Sequence, residues 1–499
     1  MMHLIPVVVY LILFQLQYFS LASDRFYVYD WPTVVNRYAN FSDRPHHGHG
    51  VEFPQWREHY GAGRLIDANN SEHKTSQFGL FKLMYERALI DPRRTLNPSE
   101  AVSFLIPYDF GMDATFFETN GRMRKTQCPL ADSVLKLLKA SPYFHAKNGH
   151  DHTLIVSVNQ NMDYFFGAHA CMNIFHICWN CTKVSIDEYM FIAKNRNHEL
   201  KKRGINWHAV PFPSDYHYTG DYIQHNINSK YSISISTATW ARLSKVENKS
   251  VLISFLRNAK KFSQINTLIR EALVAQCQNH TDICSHGTYK HDTTAGISGP
   301  NLESRHAIFC LQPPGDMPTR KSVFDSILSG CIPVLFHPLT ARYMYEWHLK
   351  QTGWEKIALN FDKPEENQGL LNGTLNIMTT LHDIYINQPK LIVEKRQYIR
   401  DNAHQLQFSL IKWNNITKKA EITVKKGKNN EIIPDAYHIT MQNLLDLHTG
   451  QIKHDRKSEF LSCDQLPNSP AQTSDNCRSL STIKDPYYPP SVVSFLYKT

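Results

Sequence analysis

The sequence FCLQPPGDMPTRKSVFDSILSGCIPV, residues 309–334, decides the fold of this chain. Its first residues are apolar and predict a buried strand. The Pro-Pro-Gly-Asp run at 313–316 must be a loop, because proline continues neither a strand ladder nor a helix. Apolar residues then recur at helical spacing from Thr319, a candidate N-cap. Gly330 ends this helix and a second buried strand begins at Ile332, so the segment predicts a strand–loop–helix–strand unit of a parallel sheet.

The loop of this unit is a candidate anion site. A loop that opens onto a helix N-terminus at the carboxyl edge of a parallel sheet presents backbone N–H groups and the positive end of the helix dipole. Arg320, in the first predicted turn, adds a guanidinium suited to a phosphate. Gly315 lets the loop approach a ligand closely, and Asp316 either caps the loop or contacts the ligand. The alternative is an ordinary connection with an exposed arginine, and spacing alone does not separate the two.

The same stretch resembles the donor-site signature of the exostosin-like inverting glycosyltransferases, glycosyltransferase family 47. Within that family it is most similar to the plant branch that contains the xyloglucan galactosyltransferases. The resemblance continues through Phe336-His337-Pro338 to Tyr345-Glu346-Trp347-His348-Leu349, and it is patchy before residue 250. It implies an α/β fold of the GT-B type, with two Rossmann-like domains facing a cleft.

The resemblance also implies the reaction, which is inverting transfer of a sugar from a UDP-sugar to a glycan. UDP-galactose is the first expectation for the donor, and UDP-glucuronic acid or another UDP-sugar is the second. The UDP-sugar is a co-substrate, and we expect no further cofactor. The chain contains no Asp-x-Asp pair. We therefore expect a metal-independent site, in which the helix start and Arg320 stabilise the departing diphosphate.

Candidate donor-binding residues surround this loop. They are Lys260, Gly315, Asp316, Thr319, Arg320 and Glu346. Lys260 and Lys261 follow a predicted strand and supply a second cation or, alternatively, begin a solvated helix. Glu346 follows the next strand, where a carboxylate accepts ribose hydroxyls, and Trp347 either stacks on the base or packs in the core.

The general base has three candidates, Asp113, Asp151 and His152. Asp113 lies in Asp109-Phe-Gly-Met-Asp113, which resembles the family's Tyr-Ala-Gly-Leu-Asp. The other two lie in Asn148-Gly-His-Asp-His152, which resembles the family's Asn-Gly-Arg-Asp-His. Each candidate sits beside a predicted strand edge that we expect to face the cleft, and bracing a loop is the alternative role for each. We place the two aspartates ahead of the histidine.

Strands and helices alternate along the chain, which is typical of α/β domains. The predicted strands include residues 26–30, 101–107, 153–158 and 251–255, and the predicted helices include 79–89, 131–139 and 391–410. We expect an N-terminal acceptor-side domain at 23–245, a nucleotide-sugar-binding domain at 246–425, and a loop-rich tail at 426–499.

The N-terminal residues 1–22 are apolar over a length that suits a signal peptide cleaved after Ala22, with a type II signal anchor as the alternative. Both predict a Golgi or ER lumen location, either membrane-anchored or secreted. Seven Asn-x-Ser/Thr sequons, the acceptor sequences for N-glycosylation, agree with this location. They begin at Asn40, Asn69, Asn180, Asn248, Asn279, Asn372 and Asn415.

Ten cysteines permit disulfides in that compartment. We expect a bridge between Cys277 and Cys284, which bracket a polar loop. Cys310 and Cys331 lie in apolar strand-like elements, so we expect buried thiols there. No partners are assigned to Cys128, Cys171, Cys178 and Cys181.

The net charge of +9 is modest for 499 residues and no basic block with interleaved aromatics occurs, which argues against nucleic acid as a partner. The expected partners are the nucleotide-sugar, a glycan acceptor, and a homo- or hetero-oligomer with another glycosyltransferase. The chain is expected to contact a membrane only through its N-terminal segment, if that segment is not cleaved.

Two other functions stay open, a non-catalytic subunit of a glycosyltransferase complex and a secreted carbohydrate-binding module. Gly315, Asp316 and Arg320 favour the enzyme, whereas Leu256-Arg257, where the family has a small residue and a glycine, favours the non-catalytic subunit.

Overall fold

The computed structural model shows two parallel β-sheets, each flanked by helices. It describes residues 24–35, 58–67, 72–115, 128, 130–157, 169–187, 206–217, 251–257, 264–288, 304–315, 318–337, 340–341, 344–414, 419–422, 425–426 and 432–452. The mixed α/β architecture is the one that the alternating pattern predicts. Among the helices in these ranges, none is both long and apolar enough to cross a membrane.

The first sheet contains six parallel strands. In this half the strands are β1 (Phe26–Val28), β2 (Leu65–Asp67), β3 (Glu72–His73), β4 (Arg94–Thr95), β5 (Ser103–Leu105), β6 (His152–Val156), β7 (Thr182–Ser185) and β8 (Trp207–Ala209), and the helices are α1 (Leu80–Ile90), α2 (Phe110–Thr115), α3 (Ala131–Ala140), α4 (Pro142–Ala146) and α5 (His169–Ile177). The sheet order is β4-β1-β5-β6-β7-β8, while β2 and β3 form a separate hairpin. The predicted strands β1, β5 and β6 and helices α1 and α3 are confirmed.

The second sheet has the order β10-β9-β11-β12-β13, and all its neighbours are parallel. Its strands are β9 (Val251–Arg257), β10 (Cys284–Thr288), β11 (Ala307–Gln312), β12 (Ile332–Leu335) and β13 (Leu359–Asn360), and the helices of this half are α6 (Gln264–Gln278), α7 (Lys321–Leu328), α8 (Gln351–Ile357), α9 (Pro364–Asn372), α10 (Ile377–Asn387) and α11 (Pro389–Asn402). Every residue of β11 and β12 is buried, as expected for strands covered by helices on both faces. The strand–loop–helix–strand unit is therefore confirmed.

Two details of that unit differ from the prediction. Helix α7 begins at Lys321, so Arg320 rather than Thr319 is the N-cap, and its side chain makes no capping bond. The predicted helix over 391–410 is shorter, since α11 ends at Asn402 and a 3₁₀ turn follows at Ala403–Leu406. Gly330 ends α7 as predicted, with a φ of 74° that favours glycine.

Each sheet has a point where the strand order reverses. In the second sheet the chain leaves β9 for β10 on one side and returns to β11 on the other. In the first it leaves β1 for β4 and returns to β5. Ligands of open parallel sheets bind outside the carboxyl ends of the strands at such reversals. The loop at 313–315 follows β11 directly and lies at this point of the second sheet.

A C-terminal helix, α12 (Ala436–His448), packs on the first half of the chain. At its start the buried Asp435 accepts a hydrogen bond of 2.8 Å from Arg87 on α1. Burial alone would raise the pKa of Asp435, but the Arg87 charge holds it far below its usual range. At its end His448 contacts Ser103 and Thr182, 2.8 and 3.0 Å away. The segment 426–499, for which we expected loops, thus contains a docked helix. It is preceded by four short strands, β14 (Ile411–Asn414), β15 (Lys419–Ile422), β16 (Lys425–Lys426) and β17 (Ile432–Ile433).

The cysteine predictions have mixed outcomes. The Cys277–Cys284 disulfide is confirmed. The prediction of thiols at Cys310 and Cys331 is wrong, because these residues form a disulfide. Cys310 lies in β11 and Cys331 directly precedes β12, its parallel neighbour, so their Cα atoms are 5.9 Å apart, and this proximity is invisible in the sequence. The unassigned Cys178 and Cys181 are free thiols and are fully buried, whereas Cys128 is disulfide-bonded.

A buried ionic cluster joins the two halves. Lys321, the first residue of α7, donates to Asp215 at 2.6 Å and to Asp325 at 2.8 Å. Asp325 also accepts hydrogen bonds from the Ser214 hydroxyl and the Asp215 backbone. Burial lowers the pKa of Lys321, but the two carboxylates outweigh burial and raise that pKa above its usual value. Residues 214–215 follow β8, so this lysine ties the helix of the second sheet to a loop of the first.

We expect Lys321→Met to lower the free energy of unfolding by about 3–5 kcal/mol, because it leaves two carboxylates largely buried without their cation. The matched control is Lys390→Met, whose lysine also faces an acidic residue four positions along a helix, Glu394, but in an exposed pair. That control is expected to cost less than about 1 kcal/mol. Urea denaturation of both variants measures the difference, and equal costs would contradict the structural role of Lys321.

Candidate functional site

The loop after β11 is held by its backbone carbonyls. Three consecutive carbonyl oxygens, those of residues 313–315, each accept a hydrogen bond from a different side chain. Arg320 Nη1 donates to the first at 3.0 Å, Arg270 Nε to the second at 2.9 Å and Asn266 Nδ2 to the third at 2.6 Å. Asn266 and Arg270 are both buried and lie one turn apart near the start of α6. The loop therefore has a fixed orientation.

These contacts also direct a hydrogen-bond donor. The peptide bonds in the described residues are trans, so the N–H that follows a carbonyl points in the opposite direction. Because the Pro314 carbonyl is turned toward Arg270, the Gly315 N–H is directed away from α6. An amide fixed in this way loses no conformational freedom when it binds an anion.

The start of α7 is tied to three different elements through three consecutive residues. The Thr319 hydroxyl lies 2.7 Å from the Tyr345 hydroxyl, which itself donates to the Ile186 carbonyl at 2.9 Å. Since Tyr345 uses its hydrogen on Ile186, Thr319 is the donor in the first contact. Arg320 holds the loop after β11, and Lys321 holds Asp215. The helix N-terminus thus lies where the carboxyl edges of the two sheets meet.

The structure describes four of the six predicted donor-site residues. Gly315, Thr319 and Arg320 lie together in the loop and at the start of α7, as the sequence suggests. Lys260 and Asp316 lie outside the described residues. Glu346 is exposed and follows β12. Its neighbour Trp347 is half-buried and stacks on His208 with 4.0 Å between ring centroids, another contact between the halves.

Asp113 lies at the carboxyl edge of the first sheet and is fully buried. It belongs to α2, which begins soon after β5 ends, beside the strand-order reversal. Its carboxylate accepts hydrogen bonds from the Tyr108 hydroxyl at 2.8 Å and from the Leu130 N–H at 3.0 Å. Leu130 is the N-cap of α3, so this aspartate also braces the start of that helix.

Asp151 and His152 lie at the opposite edge of the sheet from Asp113. Asp151 directly precedes β6 and His152 is its first residue, and this places both at its amino end rather than on the edge that we expected to face the cleft. His152 Nδ1 lies 2.7 Å from Asp151 and Nε2 lies 2.7 Å from the Tyr29 hydroxyl. Burial alone would raise the pKa of Asp151, but the bond to His152 and the Lys147 charge lower it. These contacts link Tyr29, just after β1, to the start of β6 across the intervening β5.

Sequence patterns did not identify several residues that organise this site. Asn266, Arg270 and Tyr345 act through contacts between elements distant in the chain, and so does Asp215. A signal existed for Lys321 and Asp325, which are spaced i, i+4 on the predicted helix. No group of three His, Cys, Asp or Glu residues able to hold a metal ion occurs in the part of the chain that the structure describes.

The family comparison covers most of the chain. The model of the Exostosin GT47 domain matches residues 22–373. An Arabidopsis thaliana protein named xyloglucan-specific galacturonosyltransferase is 27% identical over 334 residues, covering 65% of this chain and 45% of that protein. A probable xyloglucan galactosyltransferase of the same plant is 26% identical over 424 residues, covering 82% of this chain and 78% of that protein. The chain thus spans less than half of the first relative and more than three quarters of the second.

Proposed function

The chain belongs to the Exostosin GT47 family, and from this premise we propose that it is an inverting glycosyltransferase that moves a sugar from a UDP-sugar to a xyloglucan-type glycan in the secretory pathway. The relatives are named as xyloglucan galactosyltransferases or as a xyloglucan-specific galacturonosyltransferase, and the proposed acceptor and sugar follow those names. UDP-galactose is our first proposal for the donor, and a UDP-linked uronic acid is the second.

The observation that carries this proposal is the orientation of the loop after β11. Its carbonyls are turned toward Asn266, Arg270 and Arg320, so the Gly315 amide is directed away from α6. The loop lies where the strand order of the second sheet reverses, beside the N-terminus of α7, and both features favour a bound diphosphate. We propose that the β-phosphate is bound by the Gly315 N–H, the Arg320 guanidinium and the start of α7.

In the proposed reaction a hydroxyl oxygen of the acceptor attacks the anomeric carbon of the sugar from the face opposite the diphosphate. The new bond joins that carbon to the acceptor, and the bond between the carbon and the β-phosphate oxygen breaks. UDP leaves with the electron pair, and the acceptor proton passes to a base. Arg320 and the helix N-terminus stabilise the negative charge that grows on UDP, without a metal ion.

We propose that the two sheets are the cores of the two GT-B domains, with boundaries near those suggested by the sequence, and that the acceptor binds at the strand-order reversal of the first sheet. Among the three base candidates, this geometry favours Asp113, because it alone lies at the carboxyl edge. Asp151 and His152 lie at the amino end of β6, about one strand length away from that edge.

Arg320→Ala is expected to weaken UDP-sugar binding about 10- to 100-fold, the usual loss for a hydrogen bond to a charged group. Calorimetry with a panel of UDP-sugars, in the presence of EDTA, measures the affinity and identifies the preferred sugar. Folded wild-type protein that binds none of them would sink the enzyme proposal and would favour a non-catalytic subunit.

Substitution of the residues that hold the loop is expected to weaken the same binding more mildly. Asn266→Ala removes one neutral hydrogen bond, and Arg270→Lys keeps the charge but loses the Nε donor; we expect each to cost about 2- to 10-fold in affinity. The control is Gln276→Ala, on the same helix, which breaks contacts to Leu375 and Ile377 away from the loop. An equal loss of affinity in this control would show that α6 acts only through general stability.

Asp113→Asn is expected to retain UDP-sugar binding and to lose transfer, because the amide accepts no proton at neutral pH. Turnover with a xyloglucan oligosaccharide, measured beside UDP affinity and thermal stability, separates catalysis from folding. Asp151→Asn should leave turnover intact while lowering stability. Full turnover by the Asp113 variant would remove this residue from the mechanism.

A further inference from the structure

Three of the glycosylation sequons lie within the described residues, at Asn180, Asn279 and Asn372, and the structure separates them. We propose that the folded protein carries N-linked glycans on Asn279 and Asn372 and none on Asn180. This inference rests on entry of the chain into the secretory pathway and not on the proposed transfer activity. The other four sequons, which begin at Asn40, Asn69, Asn248 and Asn415, lie outside the described residues.

Asn372 is an exposed side chain at the last position of α9. Gly373 continues the chain with a φ of 80°, and no atom lies within 4 Å of where a side chain there would start. The Asn372 amide oxygen accepts hydrogen bonds from the Thr374 N–H at 3.0 Å and hydroxyl at 2.7 Å. The asparagine and the threonine of the sequon are thus already in contact, and the surrounding space is open.

Asn279 is also exposed and directly follows α6. It lies inside the short loop closed by the Cys277–Cys284 disulfide. Its backbone N–H is held by the Ala275 carbonyl at 3.2 Å, so the helical end fixes the backbone while the side chain remains at the surface. A glycan on this side chain displaces no contact of the core.

The two exposed sequons lie at the same edge of the second sheet. Helices α6 and α9 each follow a strand and run back along the sheet, so their C-terminal ends lie at its amino edge. Gln276 links these ends, since its side chain bonds to the Leu375 carbonyl and the Ile377 N–H. Asn266, which holds the donor loop, is near the other end of α6, about 20 Å away at the usual helical rise. Both glycans therefore project from one face, away from the proposed donor site.

Asn180 occupies a different environment. It is half-buried, and its Nδ2 donates to the Asn148 carbonyl at 3.2 Å. The other two residues of its sequon, Cys181 and Thr182, are fully buried. The Thr182 hydroxyl contacts His448 at the end of α12, 3.0 Å away. A glycan on Nδ2 would have to lie between the turn at Asn148 and the start of β7, so a glycosylated copy could not complete this packing.

In the modification itself the asparagine Nδ2 bonds to the anomeric carbon of an oligosaccharide carried on a lipid diphosphate. The bond between that carbon and the phosphate oxygen breaks, the lipid diphosphate leaves, and Nδ2 loses one proton. The oligosaccharyltransferase of the host membrane supplies both the catalyst and the donor. Neither oxidation nor reduction is involved.

The test is site-by-site occupancy of the full chain produced in a secretory host. Peptides of the folded, purified protein are treated with a peptide N-glycosidase in ¹⁸O-labelled water and analysed by mass spectrometry. A digest without the glycosidase is needed because Asn372-Gly373 is a sequence that deamidates spontaneously. Thr281→Ala and Thr374→Ala remove each sequon while keeping its asparagine, and Asn180→Gln is the matched control.

We expect label at Asn279 and Asn372, none at Asn180, and one glycan lost in each threonine variant. The Asn180→Gln variant should migrate with the wild-type number of glycans. Label at Asn180 in folded protein would overturn the proposal, and so would unmodified asparagine at Asn279 or Asn372. Because occupancy is read without any transfer assay, this outcome is independent of whether the enzyme proposal succeeds.

Discussion

The N-terminus of α7 is the point on which the rest of the proposed site depends, because three consecutive residues there are bound to three separate elements. Thr319 is bound to Tyr345, which reaches Ile186 in the first half. Arg320 is bound to the loop after β11, and Lys321 to carboxylates from both halves. A helix fixed in this way cannot shift without breaking buried polar contacts, each of which is costly to leave unpaired. The position of the candidate anion site is therefore coupled to the contact between the two sheets.

Much of the fold was predictable because its local patterns agree with its tertiary structure. The apolar runs at 308–311 and from Ile332 predicted strands, the prolines between them required a loop, and Gly330 marked the end of the helix. In the first half the same logic found β1, β5 and β6. Such elements satisfy their own propensities and are wholly or largely buried, so the hydrophobic pattern alone identifies them.

The contacts between elements were not predictable in the same way. The Cys310–Cys331 disulfide requires the register of two parallel strands, and the docking of α12 requires Arg87 and Asp435, which are far apart in sequence. The candidate bases illustrate the same limit of sequence patterns. Asp113 and Asp151 both lie beside strands, but only the direction of each strand reveals that one is at the carboxyl edge and the other at the amino edge. Periodicity carries no information on either point.

We propose that the loop at 313–315, oriented by Asn266, Arg270 and Arg320, binds the diphosphate of a nucleotide-sugar. A crystal structure of the protein with UDP bound tests it most directly. We expect the β-phosphate within hydrogen-bond distance of the Gly315 N–H and the Arg320 guanidinium, with the loop carbonyls held as they are here. A diphosphate bound at another edge of either sheet, or a loop whose carbonyls have turned toward the ligand, would contradict it.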